Sequence, residues 1–145
     1  MSKKKVLLGA AALLVAVVLT VSVAPKLRTQ AFVALYHDDI ERMIAADGSV
    51  PADDATLFGY RSVDTWERDG HRMTEFSIGA RGFLLVNAKY FGCFYSPDDK
   101  PAAFQNTDVE LIQDGENRWI WQGEGDNCGS VEKLREKWYY YEAQF

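Results

Sequence analysis

The chain has 145 residues, enough for one domain, and a formal net charge of −5. Every acidic and every aromatic residue lies beyond Arg28, where 11 basic side chains stand against 21 acidic ones. That balance argues against double-stranded nucleic acid, whose binding rests on cations displacing counterions, and against an anionic lipid surface under the body of the domain; the 19 aromatic residues exclude a disordered chain.

Residues 1–5 are basic through Lys3, Lys4 and Lys5, and residues 6–24 carry no charge. Nineteen such residues in a helix span roughly 28 Å, close to the hydrocarbon thickness of a bilayer. The leading lysines assign the N-terminus to the cytoplasm. The expectation is a signal-anchor: a single-pass membrane protein with residues 1–5 cytoplasmic, a transmembrane helix at 6–24, and an extracytoplasmic globular domain over 25–145. A cleaved signal peptide competes, since Ser22-Val23-Ala24 suits a peptidase. Against it, the apolar stretch exceeds the usual roughly 7–15 residues. Pro25 would also follow the cut directly.

Residues 29–46 have helical periodicity. Phe32, Val33, Tyr36, Ile40, Met43 and Ile44 form one apolar face, and Asp47-Gly48 supplies the stop. The period then changes to that of strands. Residues 60–68 and 71–78 flank Asp69-Gly70, a hairpin signal. The register pairs Val63 with Phe76, Thr65 with Thr74 and Glu67 with Arg72, leaving Trp66 and Met73 together on the other face. Residues 83–95 are apolar on both faces and read as the central strand, with Gly92 marking a bulge or a close approach. Residues 96–101 form a turn. Strands at 108–113 and 118–122 flank a second hairpin turn, and residues 123–129 are a glycine-rich acidic loop. Residues 131–145 are ambiguous: Val131, Leu134 and Trp138 fit a helical turn, while Tyr139, Tyr141, Ala143 and Phe145 alternate as in a strand.

These elements predict an α+β fold: a transmembrane helix, then an amphipathic helix packed on a curved antiparallel sheet of five or six strands. In element order this resembles cystatin-like folds and those like nuclear transport factor 2. The resemblance rests on no sequence motif, and such folds host enzymes, inhibitors and binding modules alike.

Cys93 and Cys128 are the only cysteines. In an exported domain they are expected to form a disulfide, worth about 3–4 kcal/mol on the chain-entropy model. With His37 and His71 they match no zinc spacing, and the acidic pairs at 98–99, 114–116 and 124–126 lack the ligand density of a calcium loop. His37 precedes Asp38 and Asp39, but adjacent helix positions do not face each other; His71, beside a hairpin turn, is expected to be exposed. Glu67, Glu75 and other strand carboxylates could form a paired-carboxylate site only if the fold brought two together in a cleft. No nucleophile elbow, phosphate loop or zincin helix occurs. Alternation puts Trp119 and Trp121 on one face and Tyr139 and Tyr141 on a common face, a candidate aromatic binding surface whose bland alternative is core.

The functional expectation is therefore a non-catalytic, membrane-tethered extracytoplasmic domain that binds a protein or a cell-envelope component, without catalytic residues, metal or cofactor. The alternative is a small-ligand binder or hydrolase with a pocket between helix and sheet. A further alternative resembles a type IV pilin in its helix, sheet and cysteines. There the processing site of that family is missing, since Gly9 is followed by Ala10 and the apolar run holds no Glu.

Overall fold

The computed structural model describes residues 24–50, 60–83 and 86–145. Among these residues one helix, α1 (Pro25–Asp47), precedes seven strands: β1 (Ser62–Arg68), β2 (His71–Phe83), β3 (Val86–Tyr95), β4 (Ile112–Gln113), β5 (Arg118–Gln122), β6 (Cys128–Arg135) and β7 (Trp138–Gln144). A short 3-10 turn (Phe104–Asn106) interrupts the long connection between β3 and β4. All neighbouring strands are antiparallel, in the order β1-β2-β3-β7-β6-β5-β4.

Pro25 opens α1 where a missing N–H costs nothing, and Gly48 closes it at φ 70° with its N–H on the Ile44 carbonyl. The helix thus starts four residues before its apolar periodicity does. Phe32, Val33 and Ile40 are buried, and Tyr36, Met43 and Ile44 pack beside them. They meet Phe76, Ile78, Phe91, Cys93, Tyr95, Trp138 and Tyr140 on one face of the sheet. The Trp138 indole N–H donates to Glu41 Oε1 at 2.7 Å, and Lys26 Nζ lies 2.7 Å from Glu132, so both ends of α1 are tied to the sheet.

The β1–β2 hairpin has the register read from the sequence, with Val63 opposite Phe76 and Trp66 opposite Met73. Asp69 and Gly70 both adopt positive φ, 49° and 75°, as the tight turn requires. Beyond that hairpin the architecture departs from expectation. The sheet has seven strands, not five or six, because residues 128–144 form two strands where a helical turn competed with one strand. The mixed signal arises because Val131 and Leu134, three residues apart, fall on opposite faces of β6 and both faces are packed, Val131 under the cover and Leu134 against the α1 core; a register shift between Lys133 and Arg135 then ends the regular pairing. β7, not β3, occupies the middle of the sheet.

The opposite sheet face is covered as well. Residues 96–111 cross it from β3 to the far edge. Ala102, Ala103, Phe104, Val109 and Leu111 pack on Met73, Phe94, Val131, Tyr139, Tyr141, Trp121 and Ala143. The domain is therefore sheet-dominated, with a helix on one side and an irregular cover on the other.

Two further expectations are corrected. Among the described residues no helix is long and apolar enough to cross a membrane. α1 carries a charged outer face, and the segment at 6–24 lies outside the described residues except for Ala24. The expected signal-anchored, single-pass arrangement therefore has no spanning helix behind it among the described residues. Nor is there a disulfide: Cys93 and Cys128 are both free thiols. β7 runs between their strands, with Cys93 opposite Tyr140 and Cys128 opposite Gln144. Two strand spacings put them about 10 Å apart sideways, and four residues add about 13 Å lengthwise. A bridge needs Cα atoms within roughly 7 Å.

Candidate functional site

Alternation along β1 and β2 sorts the strand carboxylates onto different faces. Glu67, opposite Arg72, belongs to the helix side, while Glu75 points under the cover. The two are not a pair. The residue across from Glu75 is Asp64, exposed at the edge of β1. Glu75 itself is 4% exposed, and its Oε2 accepts the backbone N–H of Gln105 at 3.0 Å. Burial pushes its carboxyl from 4.5 up to about 7; the Gln105 N–H and the Tyr141 hydroxyl oppose the rise, and Asp64 adds to it. Tyr141, buried against Glu75, has its phenol raised far above the ordinary range, chiefly by desolvation. Its hydroxyl nonetheless completes no hydrogen bond of normal geometry. Gly92 makes this contact sterically feasible: a Cβ there would sit 2.0 Å from the Phe76 carbonyl oxygen and 2.9 Å from the Tyr141 hydroxyl.

A second polar group fastens the start of the cover. His71 Nδ1 lies 3.0 Å from Asp98 Oδ1, and Ser96 Oγ donates to the same carboxylate at 3.0 Å. Desolvation would raise Asp98, but hydrogen bonds from His71, Ser96 and Lys100 together hold it down at about 2. Ser96, Asp98 and His71 have the composition of a hydrolytic triad but not its order. The carboxylate sits between serine and imidazole, so no base reaches Ser96, which is also fully buried. The neighbouring Asp99 accepts from Lys133 Nζ at 2.6 Å, from the Lys137 N–H at 2.7 Å and from the Tyr139 hydroxyl at 3.0 Å. The Asp98-Asp99 pair, in the turn read at 96–101, thus pins that turn to β2, β6 and β7. His71 is 16% exposed on its side chain rather than open to solvent.

Trp119, Trp121, Tyr139 and Tyr141 all lie on one face, the covered one. Tyr139, Tyr141 and Trp121 are buried there, and Trp119 is partly buried against them. His37 gives its Nδ1 to the Val33 carbonyl, while its Nε2 lies 3.2 Å from Asp38 Oδ1 despite their adjacency in the helix. Asp38 is largely solvent-exposed and nothing else converges on the pair. Among the described residues no group of three or more His, Cys, Asp or Glu is arranged to hold a metal ion.

The helix covers only part of its own sheet face. Beyond its N-terminal end lies an open hollow of about 190 Å³, lined by Lys89 on β3, Arg118 on β5, Cys128 and Ser130 on β6, and Glu142 and Gln144 on β7. These are the helix-side positions of their strands. Arg118 is held by Asp114 at 2.6 Å, and Glu142 accepts from the Tyr140 hydroxyl at 2.5 Å. The hollow is therefore of mixed charge, with Arg118 and Glu142 held in place. Sequence periodicity could not find it, because its residues come from four strands that are adjacent only once β7 has inserted between β3 and β6. Compared with family models, with curated proteins and with solved structures, the chain has no significant match.

Proposed function

We propose that this domain is a non-catalytic binding module that docks a protein partner in the hollow beyond the N-terminal end of α1. The observation that carries the reading is the contrast between the two packed cores and this patch, which no described element covers. The two cores are packed with aromatic side chains, and the buried acid Glu75 sits under the cover. The uncovered patch presents Lys89 and Arg118 beside Glu142 in a domain otherwise dominated by acidic groups. Opposite charges side by side suit a partner loop that brings both a carboxylate and a donor, and they set its orientation. A uniformly anionic polymer would meet the repulsion of the surrounding acidic surface.

The hydrolytic alternative draws on Glu75 and Asp64, two carboxylates facing each other with one of them raised toward neutrality. Glu75 is closed off by the Gln105 backbone, so a substrate has no approach to it while the cover is in place.

Cys128 gives a direct test. It lines the hollow, whereas Cys93 is fully buried, so a thiol-reactive photocrosslinker attaches at Cys128. The control is the same reagent on a Ser62→Cys, Cys128→Ser variant, which carries it at the β1 edge. Irradiation in extract should give a discrete adduct from Cys128, none from the control, and none from a Lys89→Glu, Arg118→Glu variant. Identical adducts from both positions, or an adduct that survives the charge reversals, would remove the hollow as the docking surface.

A further inference from the structure

We propose that residues 96–111 are a hinged cover whose 104–106 turn lifts when Glu75 ionises, uncovering the aromatic face beneath. This lies on the opposite side of the sheet from the docking hollow and does not depend on it.

The first ground is how the cover is fastened. Its middle is held to the sheet by the Gln105 N–H on Glu75 Oε2 at 3.0 Å and by Asn106 Nδ2 on the His71 carbonyl at 3.2 Å. Its start is held by Asp98 and Asp99, with five side chains and one backbone N–H between them. The start is thus the more heavily hydrogen-bonded end, while the 104–106 turn has two such ties besides the Phe104 ring on Tyr90, Tyr141 and Phe145.

The second ground is backbone strain. Asp99, Gln105 and Asn106, none of them glycine, adopt φ of 54°, 54° and 52°. Such positions persist only where their surroundings hold them. Two of the three are the residues that make the middle attachment.

The third ground is what lies beneath. Trp66 Nε1, His71 Nε2 and Trp121 Nε1 are buried without a hydrogen-bond partner among the described residues, and all three belong to the covered face. Closure therefore leaves polar atoms unmet that opening would give to water.

The trigger follows from the groups around Glu75. Asp64 faces it from β1, Tyr141 from β7, and the cover supplies the Gln105 N–H; the Cys93 thiol on β3 feels the Glu75 charge in turn. None of these is a cation. Farther along β2, His71 is already engaged with Asp98. A protonated Glu75 keeps an oxygen to accept from Gln105 and has an O–H to donate. An ionised Glu75 faces Asp64 with only one backbone N–H and a phenol to stabilise it. Loss of its proton to solvent thus favours the arrangement in which water reaches the carboxylate, with the 104–106 turn raised. Opening accordingly increases as pH rises through the Glu75 titration.

Amide hydrogen exchange on the full chain, corrected for the intrinsic pH dependence of exchange, tests this. Amides at 104–107 should lose about tenfold protection from about pH 6 to about pH 8, while those of β7 keep theirs. Acrylamide quenching of tryptophan fluorescence should rise in parallel. Glu75→Gln, neutral at every pH, should abolish the dependence. Asp64→Asn, at an exposed position, should move the transition to lower pH and decides the matter if Glu75→Gln does not fold. Protection at 104–107 that ignores pH, an unaltered dependence in Glu75→Gln, an Asp64→Asn transition that stays or moves up, or equal loss across β7 would each overturn the proposal.

Discussion

Burial without a neighbouring cation raises the Glu75 carboxyl from 4.5 to about 7, and this has a thermodynamic consequence apart from any motion of the cover. Between those values the folded chain holds a proton that the unfolded chain has released. Stability from this group is complete below about pH 4.5, declines as pH rises, and has gone above about pH 7, a change on the order of 3 kcal/mol. Asp98 works in the other direction: held at about 2, it stabilises above the ordinary aspartate range and loses that contribution as pH falls through 2. Urea midpoints measured from pH 4.5 to 8 should fall in the native chain and stay nearly level in Glu75→Gln. Gly92 is the other position where one atom decides. Gly92→Ala would drive a methyl into the Phe76 carbonyl and the Tyr141 hydroxyl, and we expect a loss of about 3 kcal/mol or more in the same assay. The thiols behave differently from a bridged pair. Cys128→Ser should change stability by less than about 1 kcal/mol, and a reductant should leave the midpoint unmoved. A midpoint that drops on reduction would show that a disulfide contributes after all.

At the scale of elements, α1 is joined to the sheet by apolar packing and by few polar contacts, of which Glu41 with Trp138 is the most buried. Glu41→Ala would leave a fully buried indole N–H without its acceptor. It should cost about 1–3 kcal/mol, which thermal denaturation would register; Glu41→Gln, which retains an acceptor oxygen, should recover most of it. The amphipathic helix and the first hairpin were legible because each is specified locally. A 3.6-residue apolar repeat ending in Asp47-Gly48 and an Asp69-Gly70 turn between alternating segments need no distant partner. β6 was not legible as a strand because both its faces are packed: Val131 and Leu134, three apart, lie on opposite faces, and that spacing mimics a helical turn.

For the whole molecule, β7 is the element on which everything depends. It is the fourth strand of seven, and its side chains alternate between the two cores: Trp138 and Tyr140 toward α1, Tyr139 and Tyr141 toward the cover. A chain ending at Lys137 should therefore lose both cores at once, showing no near-ultraviolet dichroism and no cooperative melt. Removing Phe145 alone should leave the fold intact at a modest cost, since it follows the strand and is partly exposed although its ring packs on Tyr90, Phe104 and Trp121. If the truncated chain still melts cooperatively, the β1–β3 and β4–β6 halves are more independent than the shared core implies.

The amino-acid order by itself determined the features written in local period and composition: an acidic, aromatic-rich domain, an amphipathic helix stopped at Gly48, and a β1–β2 hairpin in its observed register. It could not determine the rest because those features depend on which strands become neighbours. β7 inserts between β3 and β6, which separates Cys93 from Cys128 beyond bonding reach and gathers Lys89, Arg118, Ser130 and Glu142 from four strands into one hollow. Whether Trp121, Tyr139 and Tyr141 were an open surface or a core was likewise decided only when residues 96–111 folded across them. Alternation assigns a side chain to a face of a sheet, but what covers that face is a property of the distant chain that arrives there.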